Sequence, residues 1–240
     1  MLIKFRLTFL CCFVILFSCK DDIKTTFSEV NMSSENNKIV EINIPKAEGN
    51  NTITNAINSK IEQVVNSALH IGDPDNVNSI SIEENITSFN KEYEIFKDDF
   101  PENPQIWEAQ IDGEVIYQSE EIISISITSY INTGGAHGNL HITFLNFDAL
   151  NGKRIPNGNL FHNIDAFKDI AKRYFYETLE DKSVLFEPDN FTLPVNFGYS
   201  LDGLVLLYNV YEIAPYSTGV IDFTIPFDEL TDLLVFNGSI

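Results

Sequence analysis

The chain has 240 residues, 35 of them acidic and 15 basic, for a formal net charge of −20 at pH 7. A field of that sign repels nucleic-acid phosphates and anionic lipid headgroups, so no nucleic acid is expected as a partner; cations and basic proteins are attracted. With 44% hydrophobic residues and 19 Phe, the length fits one domain or two small ones with a packed core.

Lys4 and Arg6 open the chain, and Leu7 to Phe17 then run apolar except for Thr8. That run is too short for a bilayer core of ~30 Å, which takes about 20 helical residues. A basic start before a short apolar run is the pattern of a secretory signal. The run ends in Leu16-Phe17-Ser18-Cys19, which resembles a bacterial lipobox: an aliphatic residue, a small one, then the cysteine that receives lipid. Lys20-Asp21-Asp22 follow at once and resemble the lysine-plus-acids tag that sends some lipoproteins to the outer face of the outer membrane. The expectation is a signal peptide over 1–18, a lipidated Cys19 holding the chain to a membrane, and an outer-membrane protein facing the cell exterior. Cleavage before Cys19 leaves 13 basic and 35 acidic residues, a charge of −22. Cys11 and Cys12 leave with the signal, so the folded part has no thiol for a disulfide.

Residues 19–37, rich in Ser, Asn and acids, read as a flexible tether. Val40, Ile42 and Ile44 alternate, predicting a strand over Lys38–Pro45 that Pro45 ends. Ile53, Ile57, Ile61, Val64, Ala68 and Ile71 recur at helical spacing over Thr52–Ile71, and Gly72-Asp73-Pro74 stops that helix. Ser81-x-x-Glu84 is a capping box, and Ile82, Ile86, Phe89, Tyr93 and Phe96 continue a second helix to Phe100-Pro101. Ile106–Gln110 and Gly113–Tyr117 predict two short strands around an Asp112-Gly113 hairpin turn.

Ile123, Ile125 and Ile127 alternate with Ser124, Ser126 and Thr128, the pattern of a half-buried strand, with Leu140–Phe147 as its antiparallel partner. Asn151-Gly152 marks a tight turn. A third helix is predicted over Asp165–Leu179 with Asp165 as N-cap. Strands follow near Asn196–Ser200, Gly203–Leu207 and Val220–Ile225, and Pro226 starts a short helix over Phe227–Leu234. The fold class is α+β: an antiparallel sheet with helices packed on one face, in two consecutive parts, 38–148 and 149–240.

Two segments carry candidate chemistry. Gly134-Gly135-Ala136-His137-Gly138 is glycine-rich, but a strand follows it and no Lys-Ser/Thr does, so it is not a phosphate cradle and no cofactor is expected. His137 and His141 are four apart without a HExxH motif, which gives no metal site by spacing. Tyr208-Asn209-Val210-Tyr211-Glu212-Ile213-Ala214-Pro215-Tyr216 reads either as an aromatic recognition edge or as a strand end whose hydroxyls cap backbone groups. Tyr208, Tyr211, Glu212, Tyr216 and His137 are the candidate binding residues. For catalysis Glu212, His137 and Asp148 are the candidate acid–base groups, and nothing in their spacing brings them together.

Thr133–Asn139, Leu145-Asn146-Phe147-Asp148, Asn151-Gly152-Lys153, Leu160-Phe161, Tyr211–Tyr216, Gly219 and Ile225-Pro226 together resemble one bacterial family. It is the extracytoplasmic domain family of unknown function shared by the RsiV anti-sigma factor and the non-catalytic part of the PdaC peptidoglycan deacetylase. The resemblance runs from Ile39 to Val235, in two parts meeting near Phe144–Leu150. In RsiV-like proteins this region binds lysozyme; in PdaC-like proteins it accompanies a separate catalytic domain, which is not recognised in this sequence. The resemblance implies a binding module and not an enzyme, with lysozyme or another basic envelope-active protein as partner; the lipobox adds the expectation of a lipid anchor. The alternatives are an envelope enzyme acting on glycan and a structural lipoprotein without a diffusible ligand.

Overall fold

The computed structural model describes residues 24–35, 37–72, 81–102 and 105–236. The signal segment, Cys19 and Lys20-Asp21-Asp22 lie outside the described residues. No helix among the described residues is long and apolar enough to cross a membrane.

The first part is a five-stranded sheet in sequence order: β1 (Thr26–Ser33), β2 (Val40–Glu48), β3 (Glu108–Gln118), β4 (Ile122–Asn132) and β5 (Asn139–Asp148). The pairs are antiparallel except β2 with β3, which run parallel over Val40–Asn43 because two helices connect them. The sheet is therefore mixed where an antiparallel one was expected.

Three local expectations are corrected. The tether over 19–37 is not a tether from Thr26 onward: β1 pairs with β2 from Thr26↔Glu48 to Ser33↔Glu41. Phe27, Val30 and Met32 supply just enough apolar surface to cover the sheet margin. Pro45 does not end its strand but sits inside β2, opposite Glu29. Ala47, two residues on, turns its N–H and C=O away from β1 to the Asn58 side chain. Pro45 faces that same side, beyond the parallel pairing, so its missing donor costs no ladder bond. Asp112-Gly113 is not a hairpin turn but the middle of the continuous β3. Gly113 is needed there for space: a Cβ on it would fall 2.8 Å from the Pro45 ring.

Both helices of the first part form as their spacing dictates. In α1 (Asn51–Leu69) the Asn50 side chain accepts from Thr52 N–H, and Ile57, Ile61, Val65 and Leu69 turn inward. In α2 (Ile82–Asp99) the capping box closes: Ser81 Oγ accepts from Glu84 N–H at 3.2 Å, and Glu84 accepts from Ser81 N–H at 3.0 Å. Their apolar faces and the residues Val40, Ile42, Ile111, Ile125 and Phe147 make one core.

The second part has α3 (Ile164–Thr178) and a three-stranded antiparallel sheet, β6 (Asn196–Tyr199), β7 (Leu204–Tyr208) and β8 (Ile221–Ile225). The cap of α3 is Asn163, two residues before the expected Asp165: its side-chain oxygen accepts from Asp165 and Ala166 N–H. The segment after Pro226 makes only a 3-10 turn, Phe227–Glu229, in place of the expected helix. Phe161, Phe167, Phe175, Phe197 and Tyr208 build the second core, which Tyr117 and Ile122 of the first sheet also enter.

Strand β4 is consequently covered on both faces, not one. Ser124 and Ser126 are buried although their pattern reads as solvent-facing. Ser124 Oγ accepts from Tyr199 N–H at 3.1 Å, so this serine joins the two sheets.

Candidate functional site

The site grows out of the seam between the two parts. Strand β5 ends the first sheet, and its outward N–H and C=O groups would invite pairing with another chain. Asn209 meets the backbone of Ile142 with both ends of its amide: Oδ1 accepts from Ile142 N–H at 2.8 Å and Nδ2 donates to Ile142 O at 2.9 Å. Asn196 Oδ1 accepts from Phe144 N–H at 2.9 Å, and Asn146 Nδ2 donates to Phe197 O at 2.8 Å. Ile155 N–H donates to Asn146 O at 2.7 Å. Two asparagine side chains thus do on the upper half of β5 what a sixth strand would do.

Asn209 directly follows β7, and its position fixes the loop that comes next. Glu212 Oε2 accepts from Asn209 N–H at 2.9 Å, and Glu212 Oε1 accepts from Val195 N–H at 3.1 Å. Tyr211, between them, is held at φ 66°, a backbone state that side-chain-bearing residues seldom adopt. The strain turns its ring outward, where the residue is 56% exposed. Tyr216 follows in a 3-10 turn over Tyr216–Thr218.

The glycine segment between β4 and β5 approaches from the other side. Gly134 takes φ 85°, a conformation open to glycine at little cost. A Cβ on Gly138 would fall within 2.4 Å of the Tyr130 ring, which holds the loop close to β4. His137 stacks on Tyr216 with ring centroids 3.7 Å apart and planes 18° apart. Tyr216 Oη donates to Gly138 O at 2.8 Å and pins the stack. Tyr211 stands 5.7 Å from Tyr216 and 6.3 Å from His137, centroid to centroid. Its hydroxyl and His137 Nε2 are 3.5 Å apart, too long for a good hydrogen bond. Three rings from two distant segments therefore form one partly exposed aromatic face.

The other candidate residues behave differently. Tyr208 was expected on this edge and is instead 1% exposed; its side of β7 faces the second core, and its hydroxyl donates to Thr192 O. Burial pushes its phenol well above the usual range. Glu212 braces the loop through two backbone N–H groups and presents no free oxygen pair to a ligand. Asp148 lies at the opposite end of β5, where its carboxylate accepts from Leu150 N–H and Asn151 Nδ2. Nine strand steps separate it from Asn139, about 30 Å. Glu212, His137 and Asp148 do not converge. His141, on β5, is pushed down by partial desolvation of its imidazole, with Glu212 opposing. No group of three His, Cys, Asp or Glu residues able to hold a metal exists among the described residues.

Asn196 and Asn209 were not singled out from the sequence. The signal available was weak: each stands at the end of a short apolar run, where asparagine is common in turns.

Residues 32–140 match a family model described as Deacetylase PdaC, and residues 157–228 match one described as Protein of unknown function (DUF3298). The two parts of the chain thus match the PdaC and DUF3298 models in succession. A solved structure of a DUF3298 family member from Bacteroides fragilis is similar at TM-score 0.64 and 22% identity, over 90% of this chain and 94% of that one. A DUF3298 family protein from Pseudomonas aeruginosa is similar at TM-score 0.58 and 18% identity, over 90% and 96%. Likeness at that identity establishes a shared PdaC/DUF3298-type fold. No curated protein matches the chain.

Proposed function

We propose that this PdaC/DUF3298-type protein is a non-catalytic binding module of the bacterial envelope, held by lipid on Cys19 and exported by Lys20-Asp21-Asp22. Its recognition surface is the ring face of Tyr211, His137 and Tyr216, and its partner is lysozyme or another basic envelope-active protein. The observation that carries the reading is the stacked, pinned and partly exposed ring cluster, built by a strained Tyr211 that core packing does not require. Tyrosine faces receive Arg and Lys side chains well, by cation–π attraction on top of buried area. The charge of −20 supplies long-range attraction for a cationic partner.

The glycan-enzyme reading finds less support, because its three acid–base groups stand apart. Calorimetry of the full chain with lysozyme at low and physiological salt tests the proposal. Saturable binding is expected at both, with slower association as salt rises and faster dissociation in Tyr211→Ala. Equal binding to cytochrome c, or no saturation at physiological salt, refutes the lysozyme assignment. The anchor is tested separately: Cys19→Ala should move the protein from the membrane fraction to the soluble one, and unchanged fractionation refutes it.

A further inference from the structure

We infer that the groove between α1 and the helix-facing side of β4 and β5 binds a carboxylated saccharide. The groove has a volume of about 700 Å³. Lys60 and Gln63 of α1 stand on one wall, Ser129, Asn139 and His141 on the other. Arg154, bridged to Phe147, closes the end far from His137.

What sets this groove apart is its charge. Acids outnumber bases 35 to 15 in the chain, yet the groove is lined by two permanent cations, two imidazoles and no carboxylate. Charge elsewhere on the surface favours the opposite sign, so this lining is a local inversion. Arg154 is exposed and makes no ion pair among the described residues. Among the described residues, Lys60 donates its ammonium to the neutral Gln63 Oε1, at 2.9 Å, and pairs with no carboxylate. Glu212 acts on His141 from the seam side, but backbone N–H groups occupy both its oxygens. Two uncommitted cations in one groove fit carboxylates on a ligand, Arg154 by its two-pronged guanidinium.

The rest of the lining argues for sugar over a bare anion. Hydroxyl and amide groups, Ser67, Thr133, Gln63 and Asn139 among them, alternate with the apolar Val64, Ala68, Ile131 and Leu145. Hydroxyl-rich rings with apolar faces match that mixture, whereas a phosphate ion uses none of the apolar floor. This inference shares His137 with the protein-binding proposal but survives or fails without it.

The test uses the full chain and the imidazole NMR signals of His137 and His141, with His162, which does not line the groove, as internal reference. The probes are trigalacturonate, neutral maltotriose and inorganic phosphate. Trigalacturonate should move both groove signals saturably in the millimolar range, about −4 kcal/mol. Lys60→Gln and Arg154→Gln should each weaken it by about tenfold, the loss of one charge-assisted hydrogen bond. Both side chains are exposed, so both variants keep the fold. No movement, equal affinity for maltotriose, or unchanged affinity in the double variant overturns the inference. Phosphate binding as tightly as trigalacturonate overturns the saccharide assignment.

Discussion

Tyr208 and Tyr211 are three residues apart and have opposite fates. Strand parity sends Tyr208 into the second core, and the left-handed turn at Tyr211 sends the next ring outward. Tyr199 is also buried, its hydroxyl donating to Phe236 O. Burial raises both phenols above their ordinary value of about 10. The sign follows from proton counting. Above about pH 10 the unfolded chain releases these protons while the folded chain keeps them, so the unfolded state gains. Stability from these groups is whole below that pH and falls as pH rises. Urea midpoints at about pH 8 and about pH 11 should differ, and Tyr208→Phe should shrink the difference. At neutral pH the same variant should lose about 1 kcal/mol, for the hydrogen bond to Thr192 O. An unchanged alkaline slope would rule out Tyr208 as the source.

Among the elements, those that rest on neighbouring residues were legible. The capping box of α2, the inward faces of α1 and α2, and the β4–β5 pairing all follow from spacings within a few residues. Elements that rest on distant partners were not. Strand β1 is a strand because β2 offers it an edge; its own residues are too polar to announce it. The proline of β2 is tolerated because β3 diverges there, a fact about residues more than sixty positions away. The double burial of β4 and the braces of β5 have the same cause. Asn209 and Ile142 are 67 residues apart, so no local pattern marks their contact. The three members of the ring face were candidates in the sequence, but their convergence was not legible there, and Tyr208, a fourth candidate, is buried. Asn209→Ala should strip a donor and an acceptor from Ile142 in the seam, costing about 1–3 kcal/mol. The single Trp107 lies in the first core and reports on it alone. In the variant, Trp107 fluorescence and far-UV dichroism should unfold at separate midpoints where the wild type shows one. Coincident midpoints would mean that the apolar contacts across the seam suffice.

For the whole molecule, the register of the large sheet fixes a polarity. Thr26, Gln118, Ile122 and Asp148 share one end; Ser33, Glu108, Asn132 and Asn139 share the other. The chain enters at the first end, where Gln118 Nε2 donates to Thr25 O. The ring face lies beyond the second, about 30 Å along the strands. Cys19 to Thr25 spans at most about 20 Å of extended chain. Under the proposed anchoring, a lipid at Cys19 would leave the sheet little slack and would favour presenting the rings away from the bilayer.

That placement has a mechanical side. If the proposed function holds, a partner bound at the rings and a lipid held in the membrane would pull the molecule along its strands. The β1–β2 hydrogen bonds run across that direction, so a lengthwise load falls on all eight residue pairs at once. A load between Thr26 and Glu48, which face each other at one end, would open the pairs in turn. Single-molecule pulling with handles at Lys24 and Thr133 should need clearly more force than with handles at Lys24 and Glu48. Equal forces would mean that β1 carries no tension between anchor and captured partner. On this geometry, the strand that reads as slack tether is the part of the fold that takes the strain of holding on.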